Sequence, residues 1–172
     1  MTIRFGILTV SDRSSRGERP DKSGPALADV LDSQGWLVVD QAILPDELIQ
    51  IRDLLSSWCD SGRYDVILTT GGTGFSPRDV TPEATQAVID RPAPGLTEAM
   101  RAFSGSITPY AMLSRAKSGI CKRTLIINLP GSPRGATENL KVILPVLPHA
   151  IQLLTENPEA ETGHSNPTFP IF

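Results

Sequence analysis

The residues best suited to chemistry form one glycine-rich stretch, residues 69–82, with the sequence Thr-Thr-Gly-Gly-Thr-Gly-Phe-Ser-Pro-Arg-Asp-Val-Thr-Pro. Glycines allow positive φ angles and let backbone N–H groups approach a ligand closely. Successive N–H groups in such a turn can form an anion-binding nest. Thr81 is placed to cap a following helix, with Pro82 at its first position, so the positive helix end would also face the loop. The stretch therefore predicts a site for a phosphorylated ligand.

A glycine-rich turn that only joins a strand to a helix is the alternative interpretation of this loop. The loop at residues 69–82 lacks the Gly-Lys-Ser/Thr ending of a Walker A loop and the glycine spacing of a dinucleotide-binding fingerprint. Three arginines near the predicted site would either bind phosphate or form surface ion pairs: Arg13, Arg78 and Arg115.

Asp79 belongs to the same stretch, where a carboxylate would repel a bound phosphate unless a cation lay between them. Mg²⁺ is the cation expected, because proteins hold it with one or two carboxylates together with phosphate oxygens. Asp46, which follows Pro45, is a candidate for the second carboxylate. The alternatives are a turn-forming role for Asp79 and a helix-capping role for Asp46. Metal and phosphate together favour phosphoryl or nucleotidyl transfer.

Three predicted strands would position these residues. Apolar runs at residues 4–10, 36–44 and 64–70 each precede a helical pattern, and this alternation predicts right-handed βαβ units in a parallel sheet. Ligands of such sheets bind beyond the carboxyl ends of the strands. Three polar features follow those ends: Ser11 and Asp12, Asp46, and the loop of residues 71–79. We therefore expect them to converge.

The second half of the chain predicts one more buried strand at residues 123–129, ending in a loop of Gly, Pro and Ser at residues 130–136. Before it, residues 91–95 break a helix and residues 96–103 form another. Residues 108–115 form a short helix or a loop that leads to an irregular pair around residues 118–119. Two helices then run to about residue 155. We expect one domain over residues 1–156 and a tail over residues 157–172. The apolar end of the tail is either disordered or docked on its own or a neighbouring subunit, and docking is the interpretation we favour.

Bulk properties exclude several classes of protein. A length of 172 residues suits one domain, and a net charge of −3 argues against non-specific nucleic-acid binding, which needs a basic face. We find neither a signal-peptide pattern nor an apolar run of the roughly 20 residues that a membrane span needs. Cys59 and Cys121 fit no metal or CxxC pattern, so we expect buried thiols. A cytoplasmic protein is predicted.

The motifs together resemble the MoaB/Mog molybdopterin-binding family. The resemblance rests on residues 70–85, Thr-Gly-Gly-Thr-Gly-Phe-Ser-Pro-Arg-Asp-Val-Thr-Pro-Glu-Ala-Thr, and includes residues 45–47, 112–115 and 128–133. It covers about residues 4–155 and leaves the tail outside. It implies the α/β fold of that family, a three-layer αβα arrangement with a mostly parallel sheet.

This resemblance also implies a molybdopterin adenylyltransferase. In that reaction a terminal phosphate oxygen of molybdopterin attacks the α-phosphorus of ATP, and pyrophosphate leaves. The resemblance assigns Asp46 and Asp79 as the acidic pair important for the reaction, acting through Mg²⁺. It assigns substrate and nucleotide binding to Ser11, Asp12, Gly71, Gly72, Thr73, Gly74, Ser114, Arg115, Pro130, Gly131 and Ser132.

The same resemblance implies assembly as a homotrimer, with a hexamer as the alternative, and transfer of the product to a molybdenum insertase. The competing hypothesis is a non-catalytic molybdopterin-binding or scaffold protein of the same pathway. The presence of both Asp46 and Asp79 favours the enzyme.

Overall fold

The computed structural model describes residues 2–156 and contains a six-stranded sheet flanked by helices. The strands are β1 (Arg4–Val10), β2 (Leu37–Leu44), β3 (Val66–Thr70), β4 (Arg91–Pro92), β5 (Ser118–Cys121) and β6 (Thr124–Leu129). The helices are α1 (Asp12–Ser15), α2 (Ser23–Asp32), α3 (Leu48–Ser61), α4 (Thr81–Gln86), α5 (Pro94–Ile107), α6 (Pro133–Ile143) and α7 (Leu147–Leu154). Two short 3-10 helices are Pro109–Leu113 and Leu144–Val146.

The sheet has the strand order β2-β1-β3-β6-β5-β4. Its first four strands are parallel, and β5 and β4 join antiparallel at one edge. The mostly parallel sheet is therefore confirmed. The two antiparallel strands lie where an irregular segment and a helix break were predicted. A tight turn at Lys122, with a φ angle of 55°, folds β5 back onto β6.

Helices cover both faces of the sheet, which confirms the three-layer αβα architecture. On one face, α2, α5, α6 and α7 pack against alternate strand residues, among them Phe5 and Ile7. On the other face, α3 and α4 pack against Leu8, Ile67 and Ile126. The side chains of neighbouring strand residues point to opposite faces, so a central strand such as β1, buried from Phe5 to Val10, contributes to both cores.

Several predicted element boundaries differ from the structure; the loop predicted at residues 130–136, for example, already contains the start of α6 at Pro133. The segment after β1, predicted as a loop, contains the single-turn helix α1, because the Ser11 hydroxyl accepts a hydrogen bond from the Ser14 N–H at 3.2 Å. Helix α4 ends at Gln86, before the break predicted at residues 91–95, whereas α5 extends beyond the predicted range of residues 96–103 to Ile107. The predicted tail lies outside the described residues.

Cys59 and Cys121 are free, buried thiols in the core beneath α3. Burial is the main cause that raises the pKa of each thiol. This confirms the prediction of buried thiols. Among the helices of residues 2–156, we find none that is both long and apolar enough to cross a membrane.

Candidate active site

The register of the parallel strands brings together the four loops that follow the carboxyl ends of these strands. Val10 pairs with Leu44, and Thr70 pairs with Thr9 on one side and Leu129 on the other. The four strands therefore end at nearly the same level. The loops that follow them lie in the order β2, β1, β3, β6, which places the glycine-rich loop between the segment after β1 and the loop at residues 130–132. The predicted convergence is confirmed.

The glycine-rich loop follows a path that requires glycine at two positions. Gly71 and Gly72 have φ angles of 100° and 62°. A Cβ atom at Gly71 would lie 2.2 Å from the Val10 carbonyl oxygen, and one at Gly72 would lie 2.4 Å from the Thr81 hydroxyl oxygen. Real Cβ atoms do not approach other atoms this closely, so the loop backbone itself fills the space between β1 and α4.

Thr81 closes the loop and does not cap the helix, so the predicted capping role is wrong. Its hydroxyl donates to the Gly71 carbonyl at 2.9 Å, and its backbone N–H donates to the Gly72 carbonyl at 3.1 Å. Val80 is the residue before α4, and its side chain makes no capping hydrogen bond. Thr81 is fully buried, and its two bonds fix the turn that α4 follows.

Asp46 and Asp12 bind each other's backbone reciprocally. The Asp12 N–H donates to Asp46 Oδ2 at 2.9 Å, and the Asp46 N–H donates to Asp12 Oδ1 at 3.1 Å. The residue before α3 is Glu47, which makes no side-chain capping bond. The alternative of Asp46 as a helix cap is therefore wrong. Its Oδ1 atom instead lies against the glycine loop, 2.9 Å from the position of a Cβ at Gly72.

The two carboxyl groups have opposite electrostatic environments. Burial is the main cause that raises the pKa of Asp46, and the charges of Asp12 and Asp79 raise it further, against the Asp12 N–H bond and Arg78. The pKa of Asp12 is lowered, chiefly by its hydrogen bonds from Arg78. Arg78 Nε and Nη2 donate to Asp12 at 3.1 and 2.9 Å, and Nη2 lies 2.8 Å from Glu47. The two predicted roles of Arg78 were phosphate binding and surface ion pairing, and in this structure it forms ion pairs with Asp12 and Glu47.

Asp79 both shapes the loop and faces a cavity. Its Oδ2 atom accepts a hydrogen bond from the Ser76 N–H at 2.9 Å, and the Asp79 N–H donates to the Ser76 carbonyl at 2.9 Å. The same oxygen lies 2.9 Å from the position of a Cβ at Gly74. The turn-forming interpretation is thus correct for the backbone, and the carboxylate also lines the cavity described next.

The main cavity, of about 880 Å³, contains most of the predicted site. Its predicted lining residues are Ser11, Asp12, Asp46, Gly71, Gly72, Asp79, Gly131 and Ser132. Five cationic side chains also line this cavity. Arg13 and Arg78 were named from the sequence, whereas Arg16, Arg19 and Lys22 were not predicted. The mixed charges of the segment after β1 were the available signal, but the sequence does not show which way that segment turns.

A second, smaller cavity of about 320 Å³, the side cavity, is lined by all but one of the remaining predicted residues. Thr73, Gly74, Ser114 and Pro130 line it, and Ser132 lines both cavities. Met100, Tyr110 and Leu113 give it a more apolar wall. The glycine-rich loop therefore separates two cavities, with Gly71 and Gly72 facing the first and Thr73 and Gly74 facing the second.

Arg115, predicted to bind ligand, lines neither cavity. Its guanidinium group contacts the glycine-rich loop and α4 instead. Nε donates to the Gly74 carbonyl at 2.7 Å, Nη2 donates to the Asp79 carbonyl at 2.5 Å, and Nη1 pairs with Glu83. These partners are protein groups, so the structure shows Arg115 as part of the loop's support.

The donor set of the main cavity fits Mg²⁺ of the kind held jointly with a substrate. Within residues 2–156, no group of three or more His, Cys, Asp and Glu side chains is placed to hold a metal by itself. Asp46 and Asp79 supply two carboxylates beside a loop suited to phosphate. Mg²⁺ is typically bound by one or two carboxylates, with phosphate oxygens and water completing its shell. The two carboxylates meet that requirement.

Comparisons with known proteins agree with this geometry. Residues 6–149 match the family model described as a probable molybdopterin binding domain. Molybdopterin adenylyltransferase of Helicobacter pylori J99 is 41% identical, with 91% of this chain and 90% of that protein aligned. The Escherichia coli K12 protein of the same name is also 41% identical, over 94% of this chain and 90% of its own. The predicted enzyme class, nucleotidyltransferase, agrees with these names.

Two further relatives show the extent of the match. Gephyrin of Dictyostelium discoideum is 42% identical over 94% of this chain, but the chain spans only 24% of that protein's length. The crystal structure of MoaB, a molybdopterin biosynthesis enzyme from Thermus thermophilus, is 50% identical with a TM-score of 0.86, covering 91% of this chain and 99% of that chain. By motif, fold and overall sequence, the chain belongs to the MoaB/Mog molybdopterin-binding family.

Proposed function

We propose that this protein is a Mg²⁺-dependent molybdopterin adenylyltransferase of molybdenum cofactor biosynthesis, which transfers AMP from ATP to the molybdopterin phosphate and releases pyrophosphate. The observation that carries the proposal is the position of Asp46 and Asp79 beside one glycine-rich loop in a cavity of about 880 Å³. Family membership and the names of the full-length relatives support the same reaction.

The charges of the main cavity suit a metal-bound polyphosphate. Arg13, Arg19 and Lys22 line it together with the acidic pair. Cations attract the phosphates, and the two carboxylates provide a place for a divalent cation, without which they would repel the phosphates. When bound, Mg²⁺ would neutralise charge on the triphosphate and make the α-phosphorus a better electrophile.

The protein's own contribution is positioning. The glycine-rich loop brings backbone close to the phosphates, and the Asp12 backbone bond fixes the direction of the Asp46 carboxylate. The bond from Ser76 fixes Asp79 in the same way. Holding both reactants in one orientation lowers the barrier by removing the entropy cost of their encounter. Two cavities on either side of one loop suit a reaction that joins two substrates.

The test is a direct assay with purified protein, ATP, Mg²⁺ and molybdopterin. We expect adenylylated molybdopterin and pyrophosphate in equal amounts, detected by chromatography and a pyrophosphate-coupled assay, and no product when EDTA is added. Folded protein that binds molybdopterin but forms neither product would contradict the proposal and support the non-catalytic binding or scaffold role.

The predicted assembly and partner remain proposals of the same kind. Large apolar side chains are exposed beside the side cavity, among them Ile107, Tyr110 and Met112, and a homotrimer would bury such a surface. Light scattering should give the mass of a trimer, and a monomer across micromolar concentrations would contradict it. Transfer to a molybdenum insertase predicts that the product leaves more slowly when no acceptor is added.

A further inference from the structure

We propose that Arg115 is a positioning residue that sets the shape of the glycine-rich loop and the direction of Asp79, and that it is not a ligand contact. Each nitrogen of its guanidinium group has a protein partner: the carbonyls of Gly74 and Asp79 and the carboxylate of Glu83. Its backbone N–H adds a fourth bond, to the Thr73 carbonyl at 2.9 Å.

These bonds span the loop from one end to the other. Thr73 and Gly74 lie at its start, Asp79 lies near its end, and Glu83 lies in the first turn of α4. One planar side chain therefore fixes the distance between the two ends of the turn. A loop of this kind has few apolar contacts of its own, and Phe75 at its tip is 66% exposed. Arg115 donates three hydrogen bonds to loop carbonyls from outside the loop, in addition to the ion pairs that Arg78 makes with Asp12 and Glu47.

The consequence for Asp79 follows from its two anchors. Arg115 holds the Asp79 carbonyl, and the Ser76 N–H holds the Asp79 carboxylate at 2.9 Å. Fixing both the backbone and the side-chain oxygen leaves little freedom for the carboxylate. Without Arg115, the peptide can rotate and the carboxylate loses its set position, because only the Ser76 bond remains of these two.

Lysine cannot replace this arginine. A guanidinium group offers five donors in a planar fork, whereas an ammonium group is a single point charge. Arg115→Lys keeps the charge opposite Glu83 but loses the simultaneous bonds to two carbonyls. The Glu83 pair itself contributes little, because its two side chains are 34% and 46% exposed and such pairs are screened by water.

Amide hydrogen exchange of the ligand-free protein tests the proposal without reference to any reaction. We expect exchange in residues 72–80 to become at least about tenfold faster in Arg115→Ala and Arg115→Lys, since hydrogen bonds that involve a charged group are lost. Glu83→Gln should stay close to wild type. Arg52→Ala, which removes another exposed ion pair on α3, is the matched control. Unchanged exchange in both Arg115 variants would overturn the proposal.

Kinetics separate positioning from ligand contact, and this arm rests on the proposed function. We expect both Arg115 variants to lower kcat by about 10- to 100-fold, with KM for ATP within about twofold of wild type. A raised KM with normal loop exchange would show a ligand contact and overturn the proposal. If wild-type protein forms no adenylylated product, the proposed function fails, while the exchange result still decides the role of Arg115.

Thermal unfolding of each variant shows whether the substitution causes a general folding defect. Arg115→Lys is the second variant for this purpose, because it keeps the charge and the aliphatic part of the side chain. We expect its exchange outside residues 72–80 and its unfolding temperature to match wild type closely. Faster exchange throughout the chain in Arg115→Lys would show a global effect and overturn the assignment of a local one.

Discussion

Replacing Gly72 with alanine tests the packing of the glycine-rich loop against Asp46 and Thr81. The added Cβ would lie 2.4 Å from the Thr81 hydroxyl oxygen and 2.9 Å from Asp46 Oδ1. Thr81 cannot move aside without losing its bond to the Gly71 carbonyl at 2.9 Å. Asp46 cannot move without losing its bond from the Asp12 N–H. Both neighbours are therefore held in place against the new methyl group.

The expected cost has two parts. An L-residue at a φ angle of 62° costs about 1–2 kcal/mol relative to the right-handed region. Forcing a methyl group into occupied space costs about 1–3 kcal/mol more. We therefore expect Gly72→Ala to lower the free energy of unfolding by about 2–5 kcal/mol, a large share of the roughly 5–15 kcal/mol that a typical domain has.

Gly35→Ala provides the matched control. Gly35 has a φ angle of 70°, close to that of Gly72, but a Cβ atom there would meet nothing within 4 Å. Only the backbone part of the cost applies, so we expect a loss of about 1–2 kcal/mol. Urea unfolding followed by circular dichroism measures both variants under the same conditions.

The difference between the two variants is the decisive quantity. A loss at Gly72 that exceeds the loss at Gly35 by about 1–3 kcal/mol supports the close packing of the loop. Equal losses would refute it, because they would mean that the loop can move away from Thr81 and Asp46 at no cost. Adenylyl transfer by Gly72→Ala should fall more than its stability predicts, since the methyl group displaces Asp46.

Three further substitutions probe the same edge of the sheet. Asp79→Asn keeps an oxygen that can accept the hydrogen bond from the Ser76 N–H, so we expect normal stability. We expect a loss of about 2–4 kcal/mol of transition-state stabilisation, measured as kcat/KM. A near-normal rate would leave Asp79 only its turn-forming role. The pKa of Asp46 is raised in the folded state, which means that the charged carboxylate is less stable in the folded protein than in the unfolded chain. Asp46→Asn removes this charge, so the variant should unfold at a higher temperature than wild type at neutral pH. For the same reason, the binding of Mg²⁺–ATP, measured by calorimetry, should weaken as pH falls through a range above that of an ordinary aspartate, and Asp46→Asn should remove this dependence. Asn128 is fully buried and donates to Thr69 and Thr85 at 2.9 and 2.8 Å, so Asn128→Ala should cost about 1–3 kcal/mol in urea unfolding, and no loss would show that these hydroxyls find other partners.

The sequence predicted the four parallel strands and the level at which they end well, because both depend on local patterns. Buried parallel strands are apolar along their length, and residues 4–10 and 123–129 have no other plausible role. Asp46 and the glycine-rich loop each follow such a strand directly, so predicting the strands also predicted where these residues lie. The order of the strands was not predicted, since it depends on contacts between distant segments.

The features of the site that the sequence did not predict depend on side chains whose direction is set by distant partners. Thr81 has the position of a helix cap in the sequence, but its hydroxyl bonds to Gly71, ten residues earlier. Arg115 lies next to Ser114 in the family motif, yet Ser114 lines the side cavity and Arg115 supports the loop. Three cations of the main cavity, Arg16, Arg19 and Lys22, were missed because residues 16–22 show only mixed charge until the chain is folded.

The structure also separates the roles of three acids that look equivalent in the sequence. Asp12 already has two bonds from Arg78 and one from the Asp46 backbone, and its pKa is lowered, so its negative charge is satisfied by the protein. Asp46 is partly buried, and the nearby charges of Asp12 and Asp79 add to a raised pKa. A divalent cation gains most where a carboxylate is least stabilised without it. We therefore propose that Asp46, with Asp79 beside it, is the pair that would face a metal, and that Asp12 holds Asp46 in place through their reciprocal backbone bonds.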